Sequence, residues 1–185
     1  CRLPLSKQSP LLGPLRSGVD MVGPLKGGTH KKTYLLVMVD KLTKWIEAKP
    51  VKTAKSGLVI DFISGVVHRY GIPHNIITNN GTNFTADEVK LWCSNMGIKL
   101  DYASVYHMQT NGQVERASGL IMSGIKPILV LSLKESNTHW VEELDSVLWG
   151  LQTMPNRTTG YTPFFMVYGA KAVLPCDIIH DSPRV

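Results

Sequence analysis

From Thr33 to Val39 the chain reads Thr-Tyr-Leu-Leu-Val-Met-Val, a run without a charge. A continuous apolar run of that length predicts a strand covered on both faces. Before it, Ser17 to Val22 is short and partly apolar and stops at Gly23-Pro24, which predicts a strand containing Asp20 followed by a loop. After it, Asp40-Lys41-Leu42-Thr43 turns the chain into Lys44 to Pro50, the third strand of a meander. The period then changes. Thr53 suits an N-cap, and Leu58, Val59, Phe62, Ile63, Val66 and Val67 recur at the three-and-four spacing of a helix face that Gly71 and Pro73 end. Ile76-Ile77-Thr78 is a brief buried strand, and Asn79-Asn80-Gly81-Thr82 is the turn at its C-terminal end.

Ala86 to Met96 reads as one helix and Ile98 to Ala103 as a further strand, which delivers the chain to a polar loop. From Gly112 a helix turns Val114, Ala117 and Ile125 inward, leaves Glu115 on a neighbouring face and is interrupted at Pro127. A second helix begins at about Thr138, with Trp140, Leu144, Leu148 and Leu151 on one face and Glu142 and Glu143 in its first turn. Thr162-Pro163 opens a short last helix that Gly169 closes. Three strands followed by alternating helices and strands make an α/β domain: a mixed five-stranded sheet flanked by helices.

Composition changes this picture little. The chain has 185 residues, 43% hydrophobic and 18% charged, which suits one globular domain. Residues 1–16, with Pro4, Pro10 and Pro14, read as an irregular lead-in, 17–175 as the core and 176–185 as a tail. A net charge of +6 suits a partner rich in phosphate. Three widely separated cysteines, without a Cys-x-x-Cys, suit a reducing intracellular setting. Apolar runs are too short to span a bilayer, so no membrane partner is expected.

Candidate chemistry gathers at Asp20, at the Asn79 turn and in Ser104 to Glu115, where a polar loop runs into a helix start that favours anions. Five blocks then match a known family in order: Gly18-Val-Asp-Met-Val-Gly-Pro-Leu25, Val39-Asp-Lys-Leu-Thr-Lys-Trp45, Ile76-Ile-Thr-Asn-Asn-Gly-Thr-Asn-Phe84, His107-Met-Gln-Thr-Asn-Gly-Gln-Val-Glu115 and Thr162-Pro-Phe-Phe-Met-Val-Tyr-Gly169. They resemble the integrase catalytic core of gypsy-type LTR retrotransposons and retroviruses, over roughly residues 17–175. The resemblance implies a ribonuclease H-like fold, a polyprotein origin, a nuclear site of action, and a polynucleotidyl transferase that processes DNA 3′ ends and joins them to target DNA. It also implies a homodimer or higher oligomer.

By the same resemblance, three positions hold Mg²⁺ or Mn²⁺: Asp20, Asn79 and Glu115, with thirty-five residues between the last two. His107, Gln109, Asn111 and Gln113 would contact nucleic acid. Two closely spaced dications need shared carboxylate oxygens. Where the family has Thr-Asp-Asn-Gly, this chain has Thr78-Asn79-Asn80-Gly81, so one of three carboxylates is replaced by a neutral amide. The expectation is weakened metal binding and impaired strand transfer. The alternative is a catalytically inactive DNA-binding or dimerisation relic of an integrase. A ribonuclease H-type nuclease of RNA–DNA hybrids shares the fold, and the blocks around Asn111 and Tyr168 argue against it. Asp40 reads as a turn residue, and Lys31, Lys32, Lys41, Lys44, Lys126 and Lys134 form a DNA track only where the fold puts them on one face.

Overall fold

The computed structural model describes residues 16–25, 29–102, 116 and 140–174. Strands β1 (Arg16–Val22), β2 (Tyr34–Asp40), β3 (Ile46–Val51), β4 (Asn75–Thr78) and β5 (Lys99–Tyr102) form one sheet in the order β3-β2-β1-β4-β5. The first three strands are an antiparallel meander, and β4 and β5 add in parallel on the other side of β1. Parallel neighbours need crossovers. Helix α1 (Ser56–Tyr70) makes the first, and α2 (Thr82–Thr85) with α3 (Asp87–Asn95) makes the second. Later in the chain come α4 (Trp140–Thr153) and α5 (Pro163–Tyr168).

The uncharged run predicted as a two-sided strand is one. Leu36 and Met38 pack with Val59, Phe62, Ile63 and Val66 of α1, while Leu35, Val37 and Val39 pack with Trp140, Leu144 and Leu148 of α4. Alternate side chains of β2 thus serve two cores, one on each face of the sheet. The helical stripes read from the sequence are the faces that fill them: all of Val59, Phe62, Ile63, Val66 and Val67 are buried, and so are Trp140, Leu144 and Leu148.

Local signals fare unevenly. Thr162 caps α5 as predicted, its Oγ1 accepting from the Phe165 amide at 3.1 Å, and Gly169 ends it in the left-handed conformation at φ 70°. Asp40 is a turn residue, its Oδ2 accepting from the Thr43 amide and hydroxyl, each at 2.7 Å. Thr53, by contrast, caps nothing. α1 begins three residues later, with Lys55 at the cap position and no side-chain cap. The sheet explains the delay: Val51 is still paired with Tyr34, and the Lys52 carbonyl accepts from the Thr33 hydroxyl at 3.2 Å, so the chain leaves β3 only after Lys52. The helix expected from Ala86 to Met96 is α3, Asp87–Asn95 with Ala86 and Met96 as its caps, while the short α2 before it is an element the sequence reading does not include. Ala86 is extended (φ −58°, ψ 139°) and separates α2 from α3, which starts afresh with Asp87 and Glu88 favourable in its first turn. The helix expected from Gly112, with its interruption at Pro127, lies outside the described residues.

Because β2 is sandwiched, adjacent residues of opposite orientation should be equally costly to truncate. Leu35→Ala and Leu36→Ala are each expected to lose about 2–5 kcal/mol in urea-monitored unfolding. A large loss at one and a near-neutral effect at the other would mean that one face is solvated.

Candidate functional site

β1 and β4 run parallel, and their last paired rung joins Val19 to Thr78. The next residue on each strand is Asp20 and Asn79, so pairing alone brings together two residues far apart in the chain. Asn79 sits just past the strand, as the sequence suggests, while Asp20 lies within β1 and not at its end. The Asn79 Nδ2 donates to Asp20 Oδ1 at 2.9 Å, and the same Oδ1 accepts from the Met21 amide at 2.8 Å. Asn79 Oδ1 in turn accepts from the Gly81 amide at 3.0 Å, an Asx turn that leads into α2. Gly81 leaves room there for the two Asn side chains. A Cβ would fall 2.7 Å from Asn83 Oδ1 and 2.9 Å from Asn79 Oδ1.

This arrangement decides how the pair can act. An amide has an acceptor end and a donor end. In Asn79 the acceptor is engaged by Gly81 and the donor is aimed at the one carboxylate of the pair. A metal ligand at position 79 would have to present oxygen to a cation shared with Asp20, and Asn79 presents N–H instead. The pair fits a closed hydrogen bond and does not fit a clamp for two dications. Among the described residues, no cluster of three His, Cys, Asp or Glu could hold a metal ion. Glu115, His107, Gln109, Asn111 and Gln113 lie outside the described residues.

The candidate lysines divide between the two ends of the sheet. Lys41 and Lys44 flank the β2–β3 turn beside Arg16, far from Asp20: the Lys41 amide donates to the Arg16 carbonyl at 2.8 Å, and Lys44 Nζ donates to the Lys41 carbonyl. Burial lowers the pKa of both. Arg16 and Lys44 lower Lys41 further, whereas Asp40 partly restores Lys44 against the added repulsion of Arg116. Lys31 and Lys32 lie at the other end, in the β1–β2 connection.

A second polar cluster escaped the sequence reading. Glu47 accepts from Trp45 Nε1 at 2.8 Å, from Tyr70 Oη at 2.9 Å and from Arg69 Nη2 at 2.8 Å. Tyr168 meets the Trp45 ring edge-on at 5.6 Å, and these residues line a cavity of about 540 Å³ at the Asp40 end of the sheet. Burial, then hydrogen bonds with Tyr168 and Glu47, and the Glu47 charge push the Tyr70 phenol well above its ordinary range. The available signal was Trp45-x-Glu47, since alternate strand residues share a face.

A mixed five-stranded sheet in this order, with helices as crossovers, defines a ribonuclease H-like domain. The family model described as "Integrase core domain" matches residues 18–108. The Gag-Pol polyprotein of avian reticuloendotheliosis virus is 33% identical over 147 residues, 79% of this chain and 12% of that protein. The uncharacterized protein K02A2.6 of Caenorhabditis elegans is 34% identical over 171 residues, 92% of this chain and 13% of its own length. The chain thus spans about a tenth of the length of these curated relatives. Among solved structures, the HTLV-2 integrase catalytic core domain in complex with magnesium superposes with a TM-score of 0.66 at 22% identity, covering 85% of this chain and 99% of that one. A chain of the simian T-cell lymphotropic virus intasome in complex with the PP2A regulatory subunit B56 gamma gives 0.70 at 20% identity, covering 91% and 58%. Residues 18–108 thus match the integrase core domain, within a chain that has the fold of retroviral integrase catalytic cores.

Two outcomes follow from these geometries. Asn79→Asp removes the N–H donor and sets a second carboxylate beside Asp20, so without metal it is expected to unfold about 1–3 kcal/mol more easily than the parent. Mg²⁺ or Mn²⁺ should then raise its melting temperature and leave the parent's nearly unchanged; equal metal responses would contradict the closed-pair reading. For Tyr70 the sign is set by a folded pKa above the unfolded one. Its contribution is complete below about pH 10, the unfolded tyrosine value, and is lost as pH rises from there toward the folded value. Urea midpoints measured at pH 9 and pH 11 should fall less in Tyr70→Phe than in the parent.

Proposed function

We propose that residues 17–175 form the catalytic-core region of an integrase encoded in the polyprotein of a gypsy-type LTR element, built to act on phosphodiesters of element-end and target DNA, with strand transfer impaired at Asn79. The supporting observation is the Asn79 Nδ2 to Asp20 Oδ1 hydrogen bond of 2.9 Å. It occupies the carboxylate edge that a metal-dependent transferase must keep for its cation. The related HTLV-2 core was solved with magnesium, which supports Mg²⁺, or Mn²⁺, as the ion that Asp20, a restored carboxylate at position 79 and Glu115 would hold. Gln109, Asn111, Gln113 and His107 remain the proposed nucleic-acid contacts, and the nucleus the proposed site of action.

The test is a paired assay of the parent and Asn79→Asp on labelled LTR-end DNA with Mg²⁺ or Mn²⁺. Because disturbing even the groups that support a metal ligand costs about 10–100-fold, the parent should be at least about tenfold slower than the variant. Equal, measurable rates would refute impairment at Asn79. The closed pair also favours a second reading, a DNA-binding or dimerisation module that no longer turns over. Its signature would be salt-dependent DNA binding by both proteins and product from neither.

A further inference from the structure

Two segments free of acidic residues meet at the end of the sheet where Asp20 and Asn79 stand. Between Met21 and Val39 the charged side chains are Lys26, Lys31 and Lys32, accompanied by His30, and between Ala48 and Ile60 they are Lys49, Lys52 and Lys55. The structure joins the two segments. The Thr33 amide donates to the Val51 carbonyl at 3.1 Å, and the Thr33 hydroxyl donates to the Lys52 carbonyl at 3.2 Å, so the β1–β2 connection and the β3–α1 turn are tied side by side. Thr33 is four residues along β2 from Val37, the partner of Asp20. At the rise of a strand that is about 14 Å.

A groove of about 410 Å³ lies at the start of α1, after the β3–α1 turn. One wall is the start of α1, with Lys55, Ser56 and Gly57, and the other is the start of α2, with Thr82 and Asn83, which follow Asn79 in the chain. The 15-residue α1 has no side-chain cap and no acidic residue in its first turn, and the carboxylate at its N-terminus comes from α3. The one carboxylate of the groove, Glu88, is engaged by the Ser56 hydroxyl. Lys31, Lys52 and Lys55 are exposed, and none of them forms an ion pair among the described residues. His30 and Lys31 hold the connection in left-handed backbone, φ 57° and 60°, a conformation that residues with a Cβ adopt uncommonly.

We infer that this basic ledge, from Lys31 across Lys52 and Lys55 into the groove beside Asn79, is the track for the phosphate backbone of duplex DNA, and that the Arg16, Lys41 and Lys44 cluster at the opposite end of the sheet is not. The inference rests on the integrase reading and specifies which face of the domain the DNA follows. It assigns the track to lysines that stand free in solvent. Lys44, in contrast, is already turned onto a backbone carbonyl of its own loop.

The experiment uses the whole 185-residue chain and a fluorescent duplex of element-end sequence, with affinity measured between 50 and 200 mM salt. Each phosphate contact contributes about 0.9 to the slope of log affinity against log salt. The triple variant Lys31→Gln, Lys52→Gln, Lys55→Gln should lower that slope by about 2.7. Lys41→Gln with Lys44→Gln should leave it unchanged, and far-UV circular dichroism should show all variants folded. An unchanged slope in the triple variant, or an equal fall in the double variant, overturns the track while the DNA-binding reading stands. A parent that does not bind the duplex at all overturns both.

Discussion

The parallel pairing of β1 with β4 is the constraint on which the site depends. Asp20 and Asn79 meet because β4 is laid beside β1 in one register, and a shift by one residue would turn one of the pair to the opposite face of the sheet. That register is held from both sides. α1 crosses over the sheet with Val59, Phe62, Ile63 and Val66 in one core, and Phe84, just after the Asn79 turn, is buried in the same core. Thr78, the rung before Asn79, is completely buried. The hydrophobic contacts of the fold thus determine the placement of the two polar groups, and the site adds little to its own assembly.

Within that placement, the exchange of a carboxylate for an amide changes what the site demands. Two carboxylates on adjacent parallel strands repel and need a cation or a proton between them. An amide beside a carboxylate needs neither. Asn79 meets both requirements with neighbours the fold already supplies, donating to Asp20 and accepting from Gly81. The buried cost of an unpaired polar group is avoided at each end of the side chain. A chain with this pair can therefore fold with the register of an integrase core without a cation or a proton between the two strands.

Much of this was legible in the sequence, and the limits have physical causes. The apolar run at residues 34–39, the helical stripe from Leu58 to Val67 and the Thr162-Pro163 start all declare themselves through period and cap chemistry, which are local. Where sequence and structure part, tertiary contact overrules a local signal. Thr53 has the chemistry of a cap, but β3 and the Thr33 hydroxyl hold the chain extended to Lys52. The short α2 follows directly on the Asn79 turn and carries Phe84 into the core, a placement set by packing against α1 and α3 that no local period announces. The Glu47 cluster was invisible for a related reason. Glu47 lies on β3, its donors come from the turn before β3 and the end of α1, and Tyr168 comes from α5, so their convergence is a property of the packed sheet. The Asp20 to Asn79 contact was foreseen through the family pattern, but the direction of the amide was not, because it follows from which partner each end finds. Glu115, the third member of that pattern, lies outside the described residues.

The two ends of the sheet are chemically unlike. At the Asp40 end, cations are held by internal groups: Arg69 pairs with Glu47 and lies 5.6 Å over the Tyr70 ring, and Lys44 donates to the Lys41 carbonyl. At the Asn79 end, the two acid-free segments leave cations with no internal counterpart among the described residues. A fold gains nothing for its own stability from concentrating like charge, which repels itself. Asn79 is neutral, so that end carries one formal negative charge fewer than it would with an Asp there, which favours phosphate. On the function proposed above, an amide that impairs the cutting and joining of a backbone leaves the electrostatic basis for holding one intact. On that proposal, binding and turnover, which a complete carboxylate set would couple through a shared cation, rest on separate groups.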